Sequence, residues 1–370
     1  MIPVFNPYVY ISDIFSVLKN LYKGNISGTS KTVKEFEEKI AKRFDRKYGV
    51  AVVNGSASLD LALNAIGLEE KDEVILPSFT IVSCLSAILR SGAKPIFCDV
   101  NSETWNMTID DVQSVYTEKT KAVLMVHTYG LVADAEKIEN FCREKNLILI
   151  EDAAEAHGQE INGKKCGSFG LISTFSFYAN KHITTGEGGV LLTNDEDLFS
   201  KVKQMRNLDF KNENRFNHEN FYWNYRMGGL QAAFGISQID HLDKAIKNKK
   251  EQGNIYNSFL SHQDEYIQIP IQKLGTIENH YWVYGVLLKK ENIRDKVMEE
   301  LYLNGIETRP FFWPLHLQKA LPEKFKPNNN FPVSENIGKN GLYLPLGKKI
   351  NKSKIKFISY KLIESIKKIK

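Results

Sequence analysis

The chain has 370 residues, 49 Lys and Arg against 44 Asp and Glu for a formal net charge of +5, and is 42% hydrophobic and 25% charged. That length exceeds the ~250–300 residues at which single hydrophobic cores stop growing, so a large domain with a smaller appendage is expected. The apolar content excludes a disordered chain, no run is long enough to span a membrane, and a charge so mild and thinly spread suggests at most an anionic small molecule, the C-terminal lysine run being the one stretch where a membrane or nucleic-acid role is conceivable.

The opening MIPVFNPYVYISDIF lacks the basic start and continuous apolar stretch of a signal peptide, so a cytoplasmic protein is expected. Cys84, Cys98, Cys142 and Cys166 are widely spaced and form no CxxC pair, which argues against a zinc site or a disulfide framework and for buried thiols. After a turn at Gly28, next to Ser27, the spacing of Val33, Phe36, Ile40 and Phe44 predicts a helix over Lys31–Phe44. The segment GVAVVNGSASLDLALNAIGL then predicts a strand ending at Asn54-Gly55 and a helix opening at Ser56-Ala57-Ser58. Small residues and a hydroxyl at a helix start leave backbone N–H groups free for a phosphate. N-capping by Ser56 would explain the same residues.

Apolar strands are predicted at Glu73–Leu76, Pro95–Val100 and Ala122–Val126, alternating with helices such as Ile81–Arg90 and Ala133–Lys145. This alternation predicts an α/β fold, a mainly parallel sheet covered by helices on both faces. The strand Leu147–Ile150 runs into EDAAEAHG, and Asp152 stands where ligands bind in such sheets, beyond a strand's carboxyl end. It would equally cap a following helix. In STFSFYANKHITTGEGGVLLTN two strands flank Lys181, which a turn rich in Thr and Gly places near closely approaching backbone. On local sequence a solvated hairpin lysine is the commoner case.

Phe221–Gln231, FYWNYRMGGLQ, reads as an aromatic and polar loop opening the helix LQAAFGISQIDHLDKAI. A shift towards Lys, Asn and Gln over Asn248–Gln263 marks the domain boundary, giving a large domain at 1–245, a small C-terminal α/β domain at 246–370, and the N-terminal segment packed on the latter. The small domain holds a strand at Tyr281–Leu288, a helix at Ile293–Leu303 and the loop ETRPFFWPLH. There Arg309, Trp313 and His316 suit a polar, ring-bearing ligand, with Arg309 for an anion, or else a packed aromatic core around a structural His. Lys348–Lys370 reads as an amphipathic closing helix with a solvated lysine face.

The combination is more specific than its parts. An aspartate ending one strand, a lysine following another and a phosphate cradle at Gly55–Ala57 are the contacts pyridoxal phosphate needs: a lysine for the aldimine, an acid for the pyridine nitrogen, and helix-start amides, with the Ser176 hydroxyl, for the phosphate. A free lysine titrates near ~10.4, so burial or a charged neighbour must lower it for catalysis. A nicotinamide dehydrogenase fits poorly, because no GxGxxG follows the first strand and GEGG at Gly186–Gly189 precedes a strand instead of opening a helix.

The motifs NGSASL, PSFT, EDAAEAHG, FSFYANKHITTGEGG, NYRMGGLQAA and ETRPFFWPLH, spread from about Ser27 to Gly347, resemble the DegT/DnrJ/EryC1/StrS family of pyridoxal-phosphate-dependent sugar aminotransferases. The resemblance implies the fold type I aminotransferase architecture and a cofactor held by Lys181, Asp152, Ser56, Ala57 and Ser176. It also implies Glu155 near the cofactor's O3′, where many members have Gln, and Ile81 where an aromatic ring often stacks. Asn224 would reach the cofactor phosphate of a neighbouring subunit, making a homodimer with shared active sites. Ser27, Arg226, Arg309, Trp313 and His316 would contact substrate, and no metal is implied. Because members that dehydrate sugars carry His in place of the lysine, Lys181 implies amination. The FSFYANKHITTGEGG and ETRPFFWP segments are most similar to the branch that transfers the amino group of L-glutamate to C4 of GDP-4-keto-6-deoxymannose, for surface polysaccharide. A UDP- or dTDP-linked ketosugar, amination at C3, and a non-catalytic regulatory protein that binds the cofactor are the alternatives.

Overall fold

A computed structural model of the chain describes residues 1–210 and 215–369. Its centre is a seven-stranded sheet in the order Tyr48–Val52, Gly189–Thr193, Ile172–Ser176, Ile148–Asp152, Thr120–Val126, Glu73–Pro77, Lys94–Cys98. All neighbours run parallel except those of Gly189–Thr193, which is antiparallel to both flanking strands. The strands are near-continuous apolar runs because helices cover both faces. Successive side chains point to opposite faces, so Val50, Val52 and Leu124 join one core while Ala51, Val123 and Met125 join the other.

The predicted helices are present with ends displaced by one or two residues, as Lys31–Arg43, Val82–Ser91 and Ala135–Glu144. The predicted strand at Tyr281–Leu288 begins at Tyr284. A helix at Ile11–Tyr22 has no counterpart in the sequence reading, and its polarity is inverted. Asp13, Ser16 and Asn20 face inward, accepting from Gln238 Nε2 and Thr32 Oγ1 and donating to the Ala233 carbonyl. Ile11, Ile14, Phe15, Leu18 and Leu21 are exposed.

A second sheet, antiparallel, has the order Ile267–Gln268, Tyr284–Leu288, Gly341–Leu344, Arg309–Pro310. It shares a third core with helices Arg294–Leu303 and Lys352–Lys368, the latter being the predicted closing helix, of which Lys370 lies outside the described residues. The N-terminal strand Phe5–Asn6 pairs with Leu346–Gly347 beside this sheet. The Lys/Asn/Gln-rich stretch expected to hold the domain boundary is the body of one unbroken helix, Leu242–Leu260. Its first turns put Leu242 and Ile246 into the core of the large sheet, and its last put Tyr256 and Leu260 into the third core. The chain turns at Asp240-His241, between this helix and Gly229–Ile239. No described helix is long and apolar enough to cross a membrane.

One buried ion pair ties the outer layer to the sheet. Arg206 donates to Glu37 Oε1 and to the Ala51 carbonyl, and Glu37 Oε1 also accepts the Ala51 amide at 2.8 Å. Replacing Arg206 by Met strands the Glu37 carboxylate indoors. A loss of about 3–5 kcal/mol in unfolding free energy is expected, measured by urea denaturation.

Candidate active site

The carboxyl ends of the parallel strands converge on a cavity of about 380 Å³. Asp152 and Ser176 are the last residues of their strands, Val126 ends a third, and Asn54-Gly55 follows a fourth. The Tyr178–Glu187 loop brings Lys181 over the cavity. The loop is pinned where the Phe177 amide donates to the Gly188 carbonyl and the Thr185 amide to the Phe177 carbonyl, and the Lys181 amide donates to the Tyr178 carbonyl at 2.9 Å.

Lys181 is 9% exposed, and its Nζ lies 3.4 Å from Glu155 Oε1 and 3.8 Å from the centre of the Trp282 ring. Burial lowers its pKa, opposed by the Glu155 and Asp152 charges. Burial likewise pushes Glu155 up to about 7, against the pull of Lys181 and of the Tyr129 amide, which donates to Oε2 at 2.9 Å. Both members of the pair are thus moved towards their neutral forms, as a buried amine that has to act as a nucleophile requires. Asp152 is 2% exposed and accepts the Ala154 amide on Oδ1 at 3.0 Å and the Cys84 thiol on Oδ2 at 3.3 Å. Burial raises its carboxyl also, and a cation facing it would keep it ionised.

The helix Gly55–Ala65 is capped by Asn54, whose Oδ1 accepts the Ala57 amide at 2.9 Å. Ser56 is therefore not the cap, and within the expected Gly55–Ala57 cradle the Ala57 amide donates to Asn54. The amides of Gly55 and Ser56 precede the helix's own ladder of hydrogen bonds and are the ones left for an anion. Around them stand the hydroxyls of Ser56 and Ser83, 2.7 Å apart, and that of Ser176. Gly55 is required here, since a Cβ would lie 2.9 Å from that of Ser176. Thr174 Oγ1 and Asn180 Oδ1, on cavity-lining residues, are buried without a partner. An anion-sized cradle, an acid and an amine around a lined space, with polar atoms left open, fit pyridoxal phosphate.

Of the residues singled out in the sequence, Lys181, Asp152, Glu155, Ser56, Ser176 and Ile81 line this cavity. Asn224, Ser27 and Arg226 do not; Arg226 Nε donates to Asn224 Oδ1 at 2.8 Å, and a Cβ on Gly28, next to Ser27, would lie 2.8 Å from that of Arg226. Arg226 lines a separate cavity of about 640 Å³ with Gly28, Lys47 and Lys203. Arg309 pairs with Glu307 on an edge strand, beside Tyr343, which does line the Lys181 cavity. Trp313 is 41% exposed and its indole donates to the Leu317 carbonyl at 3.3 Å. His316 is buried 2.5 Å from Ser78 Oγ, its ring 4.8 Å from that of Phe331, which makes it part of a packed aromatic cluster. Sequence reasoning missed Ser83, Thr174, Trp282, Phe312 and Tyr343 in the lining; Thr174 and Phe312 lie within stretches it singled out, whereas Ser83, Trp282 and Tyr343 stand in no local pattern that points to a ligand.

Next to the site, His127, Glu151 and Cys166 bring three possible metal-ligand atoms together. The lone pairs of His127 and Glu151 are turned to other uses. The Ala133 amide donates to His127 Nδ1 at 3.1 Å, which leaves the proton on Nε2, 2.9 Å from Glu151. Glu151 also accepts the amides of Gly167 and Phe169, so the group braces the strand that ends in Asp152.

The sequence matches the profile of the DegT/DnrJ/EryC1/StrS aminotransferase family over residues 11–362. It is 37% identical to the GDP-perosamine synthase of Vibrio cholerae, covering 93% of this chain and 94% of that protein. It is 36% identical to the GDP-perosamine synthase of Escherichia coli O157:H7, covering 93% of each. The fold superimposes on the aminotransferase TlmJ from Streptoalloteichus hindustanus with a TM-score of 0.92 over 99% of both chains at 28% identity.

The raised Glu155 pKa makes a stability prediction. A carboxyl that binds its proton more tightly when folded stabilises fully below its unfolded pKa of ~4.3, and that contribution is lost as pH rises through about 7. Between pH 4.5 and 7.5 the cofactor-free protein is expected to lose on the order of 2 kcal/mol more stability than Glu155→Gln does, measured by thermal denaturation at a series of pH values.

Proposed function

Because the chain belongs to the DegT/DnrJ/EryC1/StrS family of pyridoxal-phosphate-dependent sugar aminotransferases, we propose that it transfers the amino group of L-glutamate to the C4 keto group of GDP-4-keto-6-deoxy-D-mannose, yielding GDP-perosamine for surface polysaccharide. The observation that carries this reading is the convergence of Lys181, Asp152 and the Gly55-Ser56 cradle on one cavity. The two GDP-perosamine synthases, similar over nearly the whole chain, support the GDP-linked substrate.

When bound, the cofactor supplies an electron sink for a substrate carbon. The Gly55 and Ser56 amides and the Ser56, Ser83 and Ser176 hydroxyls would hold its phosphate. The Asp152 carboxylate, oriented by the Ala154 amide and the Cys84 thiol, would receive its ring N–H. Lys181 Nζ, poised towards the neutral amine by burial, would carry the α-proton of glutamate to the cofactor in one half of the transfer and a proton from the cofactor to C4 of the sugar in the other, with Glu155 Oε1 adjacent to the amine. Ile81 offers an aliphatic wall to the cavity.

The homodimer is part of the same proposal. The outward apolar residues of the Ile11–Tyr22 helix, with Phe15 at 66% and Tyr22 at 94% exposure, form a face that a second copy would cover. Ser27, Asn224 and Arg226 lie away from the Lys181 cavity of their own chain, where a neighbouring subunit's site is the one they can serve. Phe15→Asp with Leu18→Asp is expected to convert a dimer into a monomer in sedimentation velocity; a monomeric unaltered protein overturns this part.

Incubation with pyridoxal phosphate, glutamate and either GDP-4-keto-6-deoxymannose or a UDP- or dTDP-linked 4-ketohexose tests the substrate by mass spectrometry. An amino sugar is expected only with the GDP substrate, and product only from another nucleotide overturns that assignment. Lys181→Ala is expected to lower turnover by about 10²–10⁴-fold or more, as loss of a positioned proton-transfer group does.

A further inference from the structure

The lysines at Lys244, Lys247, Lys249 and Lys250 read in sequence as one hydrophilic run. In the helix Leu242–Leu260 only Lys249 among them is buried, at 4% exposure. It shares the inner face with Gln252, Tyr256 and Asn257. Its Nζ lies 2.8 Å from the Trp282 carbonyl and 3.2 Å from the Asn180 carbonyl. Asn180 immediately precedes Lys181, and the Trp282 ring is the one Lys181 Nζ rests on at 3.8 Å. Trp282 leads into the strand Tyr284–Leu288 of the second sheet, whereas Asn180 belongs to the loop of the first.

We propose that Lys249 is a positioning residue for Lys181: its ammonium ties the turn that carries the catalytic amine to the segment that carries the ring beneath it, and places a second positive charge behind that amine. The proposal rests on Lys181 being the residue that engages the cofactor. Two carbonyls from different parts of the fold accept from one ammonium, so the separation of Lys181 from Trp282 is fixed from behind, by a group outside the lining of the cavity. Charge-assisted hydrogen bonds of this kind are stronger than neutral ones. The titratable groups facing Lys249 are Lys181 and His182 from the loop, and Glu155 and His157 from the segment after Asp152. Burial first, then repulsion from Lys181, lowers Lys249 to about 7. A charged Lys249 therefore favours the neutral form of the Lys181 nitrogen.

The test uses the cofactor-loaded protein with Lys249→Met, Lys249→Gln and Lys249→Arg. Two readouts are taken: kcat and KM with glutamate, and the midpoint of the pH titration of the visible absorbance that depends on Lys181. In Lys249→Met, kcat is expected to fall about tenfold or more, equivalent to about 1.4 kcal/mol. KM should stay within about twofold, and the absorbance midpoint should rise because the neighbouring charge is gone. Lys249→Arg, which keeps the charge and can donate to both carbonyls, is expected to restore the midpoint and most of kcat. A folded Lys249→Met with unaltered kcat and midpoint overturns the proposal, as does a loss expressed only in KM. If Lys249→Met does not fold, as judged by circular dichroism, Lys249→Gln decides: an unaltered kcat and midpoint in it overturn the proposal, and a fall in kcat with a raised midpoint supports it. An absorbance in the unaltered protein that survives Lys181→Ala would instead overturn the reading of Lys181.

Discussion

A lysine ammonium removed from water has to be compensated or give up its proton, and the interior of this protein is arranged around that demand at Lys181. Glu155 lies 3.4 Å away and Asp152 acts from the end of its strand, while burial works against all three charges. No single element supplies this environment. The acids come from the end of Ile148–Asp152 and the residues after it, the amine from the loop between Ile172–Ser176 and Gly189–Thr193, and the ring beneath it from the approach to the second sheet. The antiparallel strand Gly189–Thr193 lets the chain leave the sheet at Ser176 and return at the same edge, so that the amine stands beside the acid. A Cβ on Gly189 would lie 2.4 Å from the Asn54 carbonyl oxygen, so the return also requires a glycine where the two turns touch.

Much of this was legible in the sequence, for identifiable reasons. Strands buried on both faces are apolar runs that periodicity locates well, and an acid at the end of one and a lysine after another are informative because topology brings strand ends together. What could not be read is what depends on distance across the fold. Ser83, Trp282 and Tyr343 have no local pattern that distinguishes them from core or surface residues. That Asn54, two residues before Ser56, reaches the helix start and accepts the Ala57 amide is likewise a matter of folded geometry. His316 carries the residue type of a ligand contact but sits where Ser78 and Phe331 close around it.

The Ile11–Tyr22 helix shows a different limit. Its apolar residues recur at helical spacing and could have been found, yet the usual inference that such a stripe faces the core would have been wrong for it. The inward side is polar, joined to Gln238, Thr32 and the Ala233 carbonyl, and the stripe faces outward. Periodicity identifies an element; which side is covered is settled by what the polar residues find to bond.

The unbroken helix Leu242–Leu260 bears on how far the molecule can be treated as modular. Its early turns seat Ile246 against Gly158, next to the acids of the site, and its later turns send Gln252 to the carbonyls of Gly347 and Ile350 and Asn257 to the hydroxyls of Tyr281 and Tyr284. A chimera that exchanges C-terminal halves between relatives at residue 245 or 246 would cut through a helix whose two ends answer to different cores. A junction at Asp240-His241 keeps the helix whole, and the graft must then match Gly158 on one side while bringing its own acceptors on the other.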